Sequence, residues 1–219
     1  MSLRASDEII GSFDIDRIDL ITLLYQTGYL TIKSIRQRGP KRFYILGYPN
    51  LEVKMSLTDH ILGSLTQKSF ERHEEMGKLY DAMKALKINS LKGLFHSFFA
   101  SIPYEWYRKN RQAHFEGYYA SIFYTYFTAL GLQTIPEDIT NVGRIDLSII
   151  MEQAVFIFEF KVIKNKTKNG IALKQLKNKK YHEKYLSLGL PIYLLGIEFE
   201  PEKRNIIHFE WVRINPSKI

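Results

Sequence analysis

The sequence predicts an α/β fold in which a mixed β-sheet is flanked by helices, preceded by a small segment of helix and hairpin. Three observations support this prediction. Apolar residues recur at helical spacing through much of the first 130 residues. The pattern then changes to short apolar runs of strand length, and a polar helix interrupts these runs. With 219 residues, the chain suits one medium domain or two small ones.

The first 68 residues are predicted to form a helix, a hairpin and a second helix. The helices are expected over residues 18–26 and 51–65, and the strands over residues 29–35 and 43–46. Gly28 ends the first helix, and a loop with the breaker Gly39-Pro40 joins the strands. Helix and hairpin resemble part of a winged-helix module, although we favour the alternative that they are the tail of an upstream domain.

Residues 69–219 are predicted to form the main domain. Its helices are expected over residues 69–87, 90–102, 112–130 and 171–188, and its strands over residues 145–150, 154–160, 191–197 and 206–212. The helix over residues 112–130 is apolar nearly all round, so we expect it to be buried. The order of strands and helices in the second half indicates a mixed sheet.

The composition excludes several kinds of site and location. The chain has no cysteine, so it can form neither disulfides nor thiolate metal sites. The start lacks the continuous apolar stretch of a signal peptide, and no stretch is long enough to span a bilayer. We therefore expect a cytoplasmic protein with no membrane partner.

The positive charge is concentrated at the C-terminal end. Residues 161–219 contain 13 Lys and Arg against 5 Asp and Glu, which accounts for the whole net charge of +8. Such a concentration is typical of a surface that binds a polyanion, most simply a nucleic acid. The alternative is a solvated lysine-rich helix.

A pair of charged residues stands in a very apolar strand, FIFEFKV. Because side chains alternate along a strand, the three phenylalanines point to one face while Glu159 and Lys161 share the other. Burying either charge without a partner costs on the order of several kcal/mol of folding free energy. The pair is either a functional site or an ordinary solvated pair at a strand end.

Asp146 favours the functional interpretation. It lies in the preceding apolar run, GRIDL, and would face Glu159 across the ladder if the two runs form a hairpin. Two carboxylates so close repel each other unless a cation lies between them. Oxygen ligands of this kind favour a hard ion, Mg²⁺ or Mn²⁺, and a neighbouring lysine can bind a phosphate or orient an attacking water.

The spacing of these residues resembles the PD-(D/E)XK nuclease superfamily: Asp146, twelve residues, then Glu159, one residue and Lys161. The stretch GRIDLSIIMEQAVFIFEFKV resembles the nuclease-like C-terminal domain of AAA-ATPase-like bacterial and archaeal proteins, and the resemblance continues through ALKQLKNKKYHEKY and PIYLLGIEF. Earlier, YQTGYLTI and LGYPNLEVK resemble the segment that joins the two parts of those proteins, so the resemblance covers nearly the whole chain. One departure is that Ile145 stands where the superfamily's name has proline.

The resemblance implies a restriction-endonuclease-like fold and a set of site residues. Asp146 and Glu159 would bind the metal, with the carbonyl of Phe160 as a third ligand, and Lys161 would be the catalytic lysine. Glu116, the only acid within the predicted buried helix, would complete the metal site. Its alternative is an arginine partner, Arg111 or Arg144.

The following helix supplies further candidates. Gln175, Lys179 and His182 are spaced to share one helical face. Superfamily members often have a Gln here, followed four residues later by a Tyr, and the resemblance makes Gln175 a catalytic-site residue. Lys179 occupies the later position, and Tyr181 follows Gln175 only after six residues. The alternative for Lys179 and His182 is a solvated face.

Two functions are compatible with the sequence. The first is a Mg²⁺- or Mn²⁺-dependent nuclease that hydrolyses the phosphodiester bonds of DNA, or alternatively of RNA. The second is a catalytically silent nuclease fold that docks nucleic acid or protein on an AAA-type ATPase. The sequence contains no phosphate-binding loop of the Gly-x4-Gly-Lys-Ser/Thr type, no zinc-binding histidine spacing and no Gly-x-Ser-x-Gly elbow. An ATPase core, a zinc enzyme and a serine hydrolase are therefore not indicated.

Overall fold

The computed structural model describes residues 3–6, 19–66, 70–103, 115–164 and 169–216. Contacts divide the chain into two compact units, Met1–Thr58 and Asp59–Ile219, which we call the N-terminal and C-terminal units. The boundary lies inside one helix, Leu51–Thr66. The predicted division after residue 68 stays a prediction.

The N-terminal unit is a three-stranded antiparallel sheet with one helix packed on it. The elements are β1 (Leu3–Ser6), α1 (Leu20–Gln26), β2 (Thr31–Arg38), β3 (Lys41–Gly47) and the start of α2 (Leu51–Thr66), and the strand order is β1-β3-β2. Asp19 caps α1, because its Oδ1 accepts a hydrogen bond of 2.8 Å from the Ile21 amide. Buried Ala5, Leu30 and Leu46 form the small core. β1 was not predicted, since four residues are too few to show an alternation.

The β2–β3 connection is shorter than the predicted loop. Both strands run up to a turn at Gly39-Pro40, and Arg38 pairs with Lys41. Gly39 has φ 62°, a conformation that glycine adopts without strain. The strand ends are exposed and polar, so they carry none of the apolar alternation from which strands are recognised.

The C-terminal unit confirms the predicted mixed sheet flanked by helices. Its elements are α3 (Phe70–Lys84), α4 (Ile88–Ala100), α5 (Glu116–Ala129), β4 (Gln133–Ile139), β5 (Arg144–Ile150), β6 (Val155–Val162), α6 (Ile171–Asn178), a 3₁₀ helix (Tyr181–Leu188), β7 (Ile192–Glu200) and β8 (Asn205–Ile214). The strand order is β4-β5-β6-β7-β8, and only the β6–β7 pair is parallel. The predicted helix start at residue 112 lies outside the described residues, and α5 itself begins at Glu116.

One strand of this unit was not predicted, and one predicted helix was wrong in extent. β4 was missed because its sequence, QTIPEDI, contains a proline and two acids, which an edge strand tolerates. The predicted helix over residues 171–188 ends at Asn178 and is followed by the 3₁₀ helix. The break occurs at Lys180, which adopts a left-handed φ of 49° although neither glycine nor proline marks the position.

Apolar side chains pack against both faces of the sheet of the C-terminal unit. Phe156, Phe158 and Phe160 point toward the α4 and α5 side, where the rings of Phe123 and Phe160 lie 4.8 Å apart. Val155 and Ile157 belong to the opposite core, with Leu173 of α6. The alternation of side chains predicted for β6 is therefore confirmed. Glu159 and Lys161 lie on the α6 side of this strand, which is packed on both faces. None of the described helices is long and apolar enough to cross a membrane.

Candidate active site

The site begins where β5 and β6 separate. Their pairing ends at Leu147 and Phe158. One residue further on, the side chain of Asp146 takes the place of a ladder acceptor, because its Oδ2 accepts a hydrogen bond of 2.8 Å from the Phe160 amide. Glu159 is the next residue of β6 beyond the last pair, and it lies close enough for the charge of Asp146 to raise its pKa.

Glu159 is the most deeply buried charged group of the site, with 1% of its side chain exposed. Its Oε1 accepts hydrogen bonds from Lys161 Nζ at 2.9 Å and from the side-chain amide of Gln175. Its Oε2 is buried and has no hydrogen-bond partner. A buried carboxylate oxygen left unpaired costs free energy, on the order of 1–3 kcal/mol, and is a position where a cation can bind.

Burial and the charge of a nearby carboxylate raise the pKa of each of these two carboxyl groups. Burial is the main cause of the rise at Glu159, the charge of Asp146 adds to it, and the pKa reaches about 7 despite the nearby lysine. Burial also raises the pKa of Asp146, although the Phe160 amide and the charge of Lys161 lower it. The pair therefore holds its two negative charges poorly without a cation, which is typical of an acidic metal-binding site.

Lys161 lies between two carboxylates. Besides Glu159, its Nζ donates to Glu116 Oε2 at 3.1 Å. Burial lowers the pKa of Lys161, but the hydrogen bonds and charges of Glu159 and Glu116 outweigh burial and leave it above the ordinary value. Lys161 is therefore a protonated ammonium at neutral pH, able to donate hydrogen bonds but not to act as a base.

Glu116 is directed toward the same cluster from α5. It is the first residue of that helix, where a carboxylate interacts favourably with the helix dipole. Its Oε1 accepts a hydrogen bond from the Val162 amide at 3.5 Å, and its charge acts on both Asp146 and Glu159. Of the two alternative arginine partners, Arg144 pairs with Glu137 at 3.4 Å, and Arg111 lies outside the described residues.

Gln175 reaches Glu159 because α6 lies unusually close to the sheet. Gly196 of β7 pairs with Glu159, and a Cβ at Gly196 would lie 2.3 Å from the Leu173 backbone nitrogen, so only glycine allows this approach. Buried Glu198 accepts hydrogen bonds of 3.1 Å from the amides of Gly170 and Ala172. These bonds fix the start of α6 and hence the position of Gln175. Sequence analysis did not identify Gly196 or Glu198.

Tyr181 lies at the cluster, although its six-residue separation from Gln175 made it a poor match in the sequence. The left-handed residue at the end of α6 returns the chain toward the sheet, so that the Tyr181 hydroxyl hydrogen-bonds with Gln175 and the Arg144 amide. Burial and then the charge of Glu159 raise its pKa. Spacing along one continuous helix argued against Tyr181, and nothing in the sequence marks the break that brings it to the site.

A buried carboxylate of the edge strand holds the 3₁₀ helix in place. Asp138 of β4 accepts a hydrogen bond of 3.0 Å from Ser148, and also hydrogen bonds from Lys184 and the Tyr185 hydroxyl. Burial, reinforced by Asp138, raises the pKa of Tyr185. Because Tyr185 lies one turn beyond Tyr181 in the same 3₁₀ helix, this network also stabilises the position of the Tyr181 ring.

The structure does not bring Lys179 and His182 into the cluster. The two are not on one helical face with Gln175, because α6 ends before Lys179. The exposed Lys179 donates to the Val142 carbonyl at 3.4 Å. The Nδ1 of His182 is buried without a partner, and burial lowers the pKa of this residue.

The carboxylate oxygens of the cluster fit a divalent cation, which would replace Lys161 as the positive charge that balances the acids. Among the described residues, no three acidic, histidine or cysteine side chains are already gathered for a metal ion. The ammonium of Lys161 instead balances Glu116 and Glu159. The unpaired Oε2 of Glu159 and the neighbouring carboxylate of Asp146 supply oxygen ligands of the type that Mg²⁺ and Mn²⁺ prefer. The ligand roles of these residues and of the Phe160 carbonyl stay predictions.

Comparison with known proteins identifies similarity to nucleases. Residues 114–209 match the sequence model of the PD-(D/E)XK nuclease superfamily. Over 207 residues the chain is also 44% identical to a protein of Azotobacter chroococcum mcd 1, described as an uncharacterized protein in the vnfD 5′ region. That alignment covers 94% of this chain but 40% of the relative, so the chain spans less than half of the relative's length. The mixed five-stranded sheet is consistent with the restriction-endonuclease-like fold.

Proposed function

We propose that the C-terminal unit, most of which matches the PD-(D/E)XK nuclease superfamily, is a metal-dependent nuclease that hydrolyses phosphodiester bonds. The observation that carries the proposal is the cluster of Asp146, Glu159 and Lys161, in which one buried carboxylate oxygen has no partner. Structural ion pairs also occur inside proteins, but such pairs are usually satisfied at both oxygens. The unpaired oxygen supports a site in which a bound cation supplies the missing partner.

In this proposal Asp146 and Glu159 bind the cation, with Glu116 and the Phe160 carbonyl as further ligands. The bound ion supplies Lewis-acid polarisation of the phosphate and a more acidic water. Gln175 and Tyr181 hold Glu159 and the adjacent backbone in place. Their hydrogen bonds restrict the carboxylate to one orientation, which favours a fixed binding geometry.

Lys161 would act on the phosphate. Its ammonium is charged at neutral pH and already makes two hydrogen bonds to carboxylates that a cation would partly neutralise. Once their charge is shared with a cation, the Nζ can donate to a phosphate oxygen and stabilise the charge that develops on it. A lysine in this role contributes electrostatically and transfers no proton from the attacking water.

The metal, the type of nucleic acid, the location and the partner are also parts of the proposal. We infer Mg²⁺ in preference to Mn²⁺, DNA in preference to RNA, and a cytoplasmic location. We infer association with an AAA-type ATPase from the resemblance of GRIDLSIIMEQAVFIFEFKV to the nuclease-like domain of such proteins and of YQTGYLTI and LGYPNLEVK to their joining segment. The portion of the relative outside the alignment is where such a domain would lie.

The decisive experiment is a cleavage assay with single-stranded DNA, duplex DNA and RNA at increasing Mg²⁺ or Mn²⁺. We expect metal-dependent cleavage that Lys161→Ala reduces by about 10²–10³-fold, comparable to the loss of one charge-stabilising donor in other enzymes. Lys174→Ala removes an exposed lysine of α6 and is the matched control, expected to cleave as the parent does.

Two results would contradict a nuclease. Equal cleavage by the parent and Lys161→Ala would indicate a contaminating enzyme. A parent protein that cleaves none of the three substrates, yet binds nucleic acid, would favour the alternative of a catalytically silent docking module. Thermal melting of each variant checks that it is folded.

A further inference from the structure

The sheet of the N-terminal unit has two faces of opposite character. Side chains alternate along a strand, so the pairing register assigns each residue to a face. Ala5, Tyr44 and Leu46 share the face that packs on α1 and form its core with Leu3 and Ile32. The residues between them point to the opposite, outer face.

The outer face carries four cations. Arg4 of β1 pairs with Ile45, and Arg36 and Arg38 of β2 pair with Phe43 and Lys41 of β3. The register therefore places on this one face the side chains of Arg4, Arg36, Arg38 and Lys41, which we call the basic sheet face. All four are exposed, and β1, β2 and β3 contain neither Asp nor Glu.

This arrangement opposes the stability of the sheet. Arg38 and Lys41 are directly opposite each other, and like charges in that position destabilise a strand pair. Within the described part of the chain, no carboxylate forms an ion pair with any of the four side chains. Because β1, β2 and β3 contribute no acidic side chain of their own, a bound polyanion would neutralise the four cations and stabilise this face.

We propose that the basic sheet face binds the phosphate backbone of a nucleic acid. Arg36 and Arg38 are two residues apart on one strand, a separation of about 6.6–6.8 Å that lets both contact one backbone. Guanidinium groups bind phosphates in bidentate geometry. An anionic membrane fits less well, because the apolar residues of this face, Phe43 and Ile45, are half-buried and offer no exposed wedge for lipid.

This surface differs from the basic C-terminal region and from the proposed catalytic cluster. Its charge is hidden in the composition because residues 1–160 contain 18 Lys and Arg and 18 Asp and Glu, so they are neutral on average. The inference goes beyond the proposed nuclease function, since binding at this face requires neither metal nor cleavage.

The test is a binding titration of the full chain with a labelled 30-nucleotide strand and with its duplex, in chelator, across a range of salt. The variant combines Arg4→Gln, Arg36→Gln, Arg38→Gln and Lys41→Gln. We expect at least a tenfold loss of affinity at low salt. The log–log salt slope should be shallower by roughly 2.8 for the single strand and 3.6 for the duplex, since each of four lost phosphate contacts contributes about 0.7 or 0.9.

The matched control replaces by Gln four exposed lysines of α3, α4 and the connection between them, Lys78, Lys84, Lys87 and Lys92, so that both variants lose the same charge. The control should keep most of the affinity. Three results would overturn the proposal: no binding by the parent, equal losses in both variants, or losses confined to anionic phospholipid vesicles tested in parallel. Cleavage is measured separately, so a parent that binds through this face but never cuts would refute only the nuclease proposal.

Discussion

Glu159 connects the chemistry of the site to the stability of the fold. An unfolded chain gives this glutamate an ordinary pKa of 4.5, whereas the folded protein raises it to about 7, chiefly by burial. Between these values the folded state binds more protons than the unfolded state. The free energy of unfolding therefore falls as pH rises through this window, and Asp146 contributes with the same sign because its pKa is also raised.

The first prediction concerns this pH dependence. In chelator, the free energy of unfolding of the parent should fall from pH 4.5 to about pH 7 with a slope of up to about 1.4 kcal/mol per pH unit, the value for one proton, and level off above pH 7. Glu159→Gln removes the ionisation, so the slope should become flatter. At pH 8 the free energy of unfolding of the variant should therefore rise relative to that of the parent. Urea unfolding at several pH values measures both. A slope unchanged by the substitution would show that Glu159 does not titrate in this range.

At the scale of elements, the close contact of α6 with β7 determines whether Gln175 reaches the site. Helix and strand can approach this far only because residue 196 has no side chain. Glu198 then binds the amides that begin the helix, so its start is fixed by a strand carboxylate. A displacement of α6 would move Gln175 away from Glu159 without changing either side chain.

The second prediction tests this contact with Gly196→Ala. The added Cβ would collide with the Leu173 backbone, so we expect a loss of about 1–3 kcal/mol, as for other overpacked cores. Gly93→Ala in α4 is the control, since a Cβ there meets nothing within 4 Å and alanine favours a helix by about 0.8–1 kcal/mol. Urea unfolding should show a lower free energy of unfolding for Gly196→Ala than for the parent, and a higher one for Gly93→Ala. Similar effects in both would argue against the proposed close approach.

At the scale of the whole molecule, residues 161–219 account for the net charge of +8, although exposed cations also gather on the basic sheet face. Lys177, Lys179 and Lys180 are exposed around the end of α6, the helix that supplies Gln175. If this region binds a phosphate backbone, the affinity should depend steeply on salt, because each neutralised phosphate releases counterions.

The third prediction is that replacing Lys177, Lys179 and Lys180 together by Gln makes the log–log salt slope shallower by about 2–3. Exposed lysines contribute little to folding, so the melting temperature should change by only a few degrees. Titration of labelled duplex DNA measures the slope. An affinity and slope equal to those of the parent would leave these lysines as a solvated surface, the alternative considered from the sequence.

Much of the C-terminal sheet could be predicted because its strands are apolar and continuous. Runs such as FIFEFKV are buried on both faces, and burial leaves a pattern that can be recognised in the sequence. Asp146 and Glu159 were predicted to lie on adjacent antiparallel strands for the same reason, and β5 and β6 pair in that way.

The features that could not be predicted depend on backbone geometry instead of composition. β4 is a polar edge strand, and its role becomes visible only through its pairing with β5. Tyr181 reaches the site because Lys180 adopts a left-handed conformation, which costs roughly 1–2 kcal/mol for a residue with a Cβ and leaves no mark in the sequence. The basic sheet face was missed because averaging charge over many residues conceals which side chains share a face.

The position of Lys161 between Glu116 and Glu159 has a consequence for metal-poor conditions. The chain carries its own replacement cation, which occupies the acidic cluster and limits repulsion inside the fold. A protein deprived of metal would therefore remain folded and idle, and would regain its site without refolding when the ion returns. In the proposed nuclease, the same lysine would therefore have two alternating roles: it would stabilise a reacting phosphate when metal is bound, and it would serve as the internal counter-ion, withheld from substrate, when metal is absent.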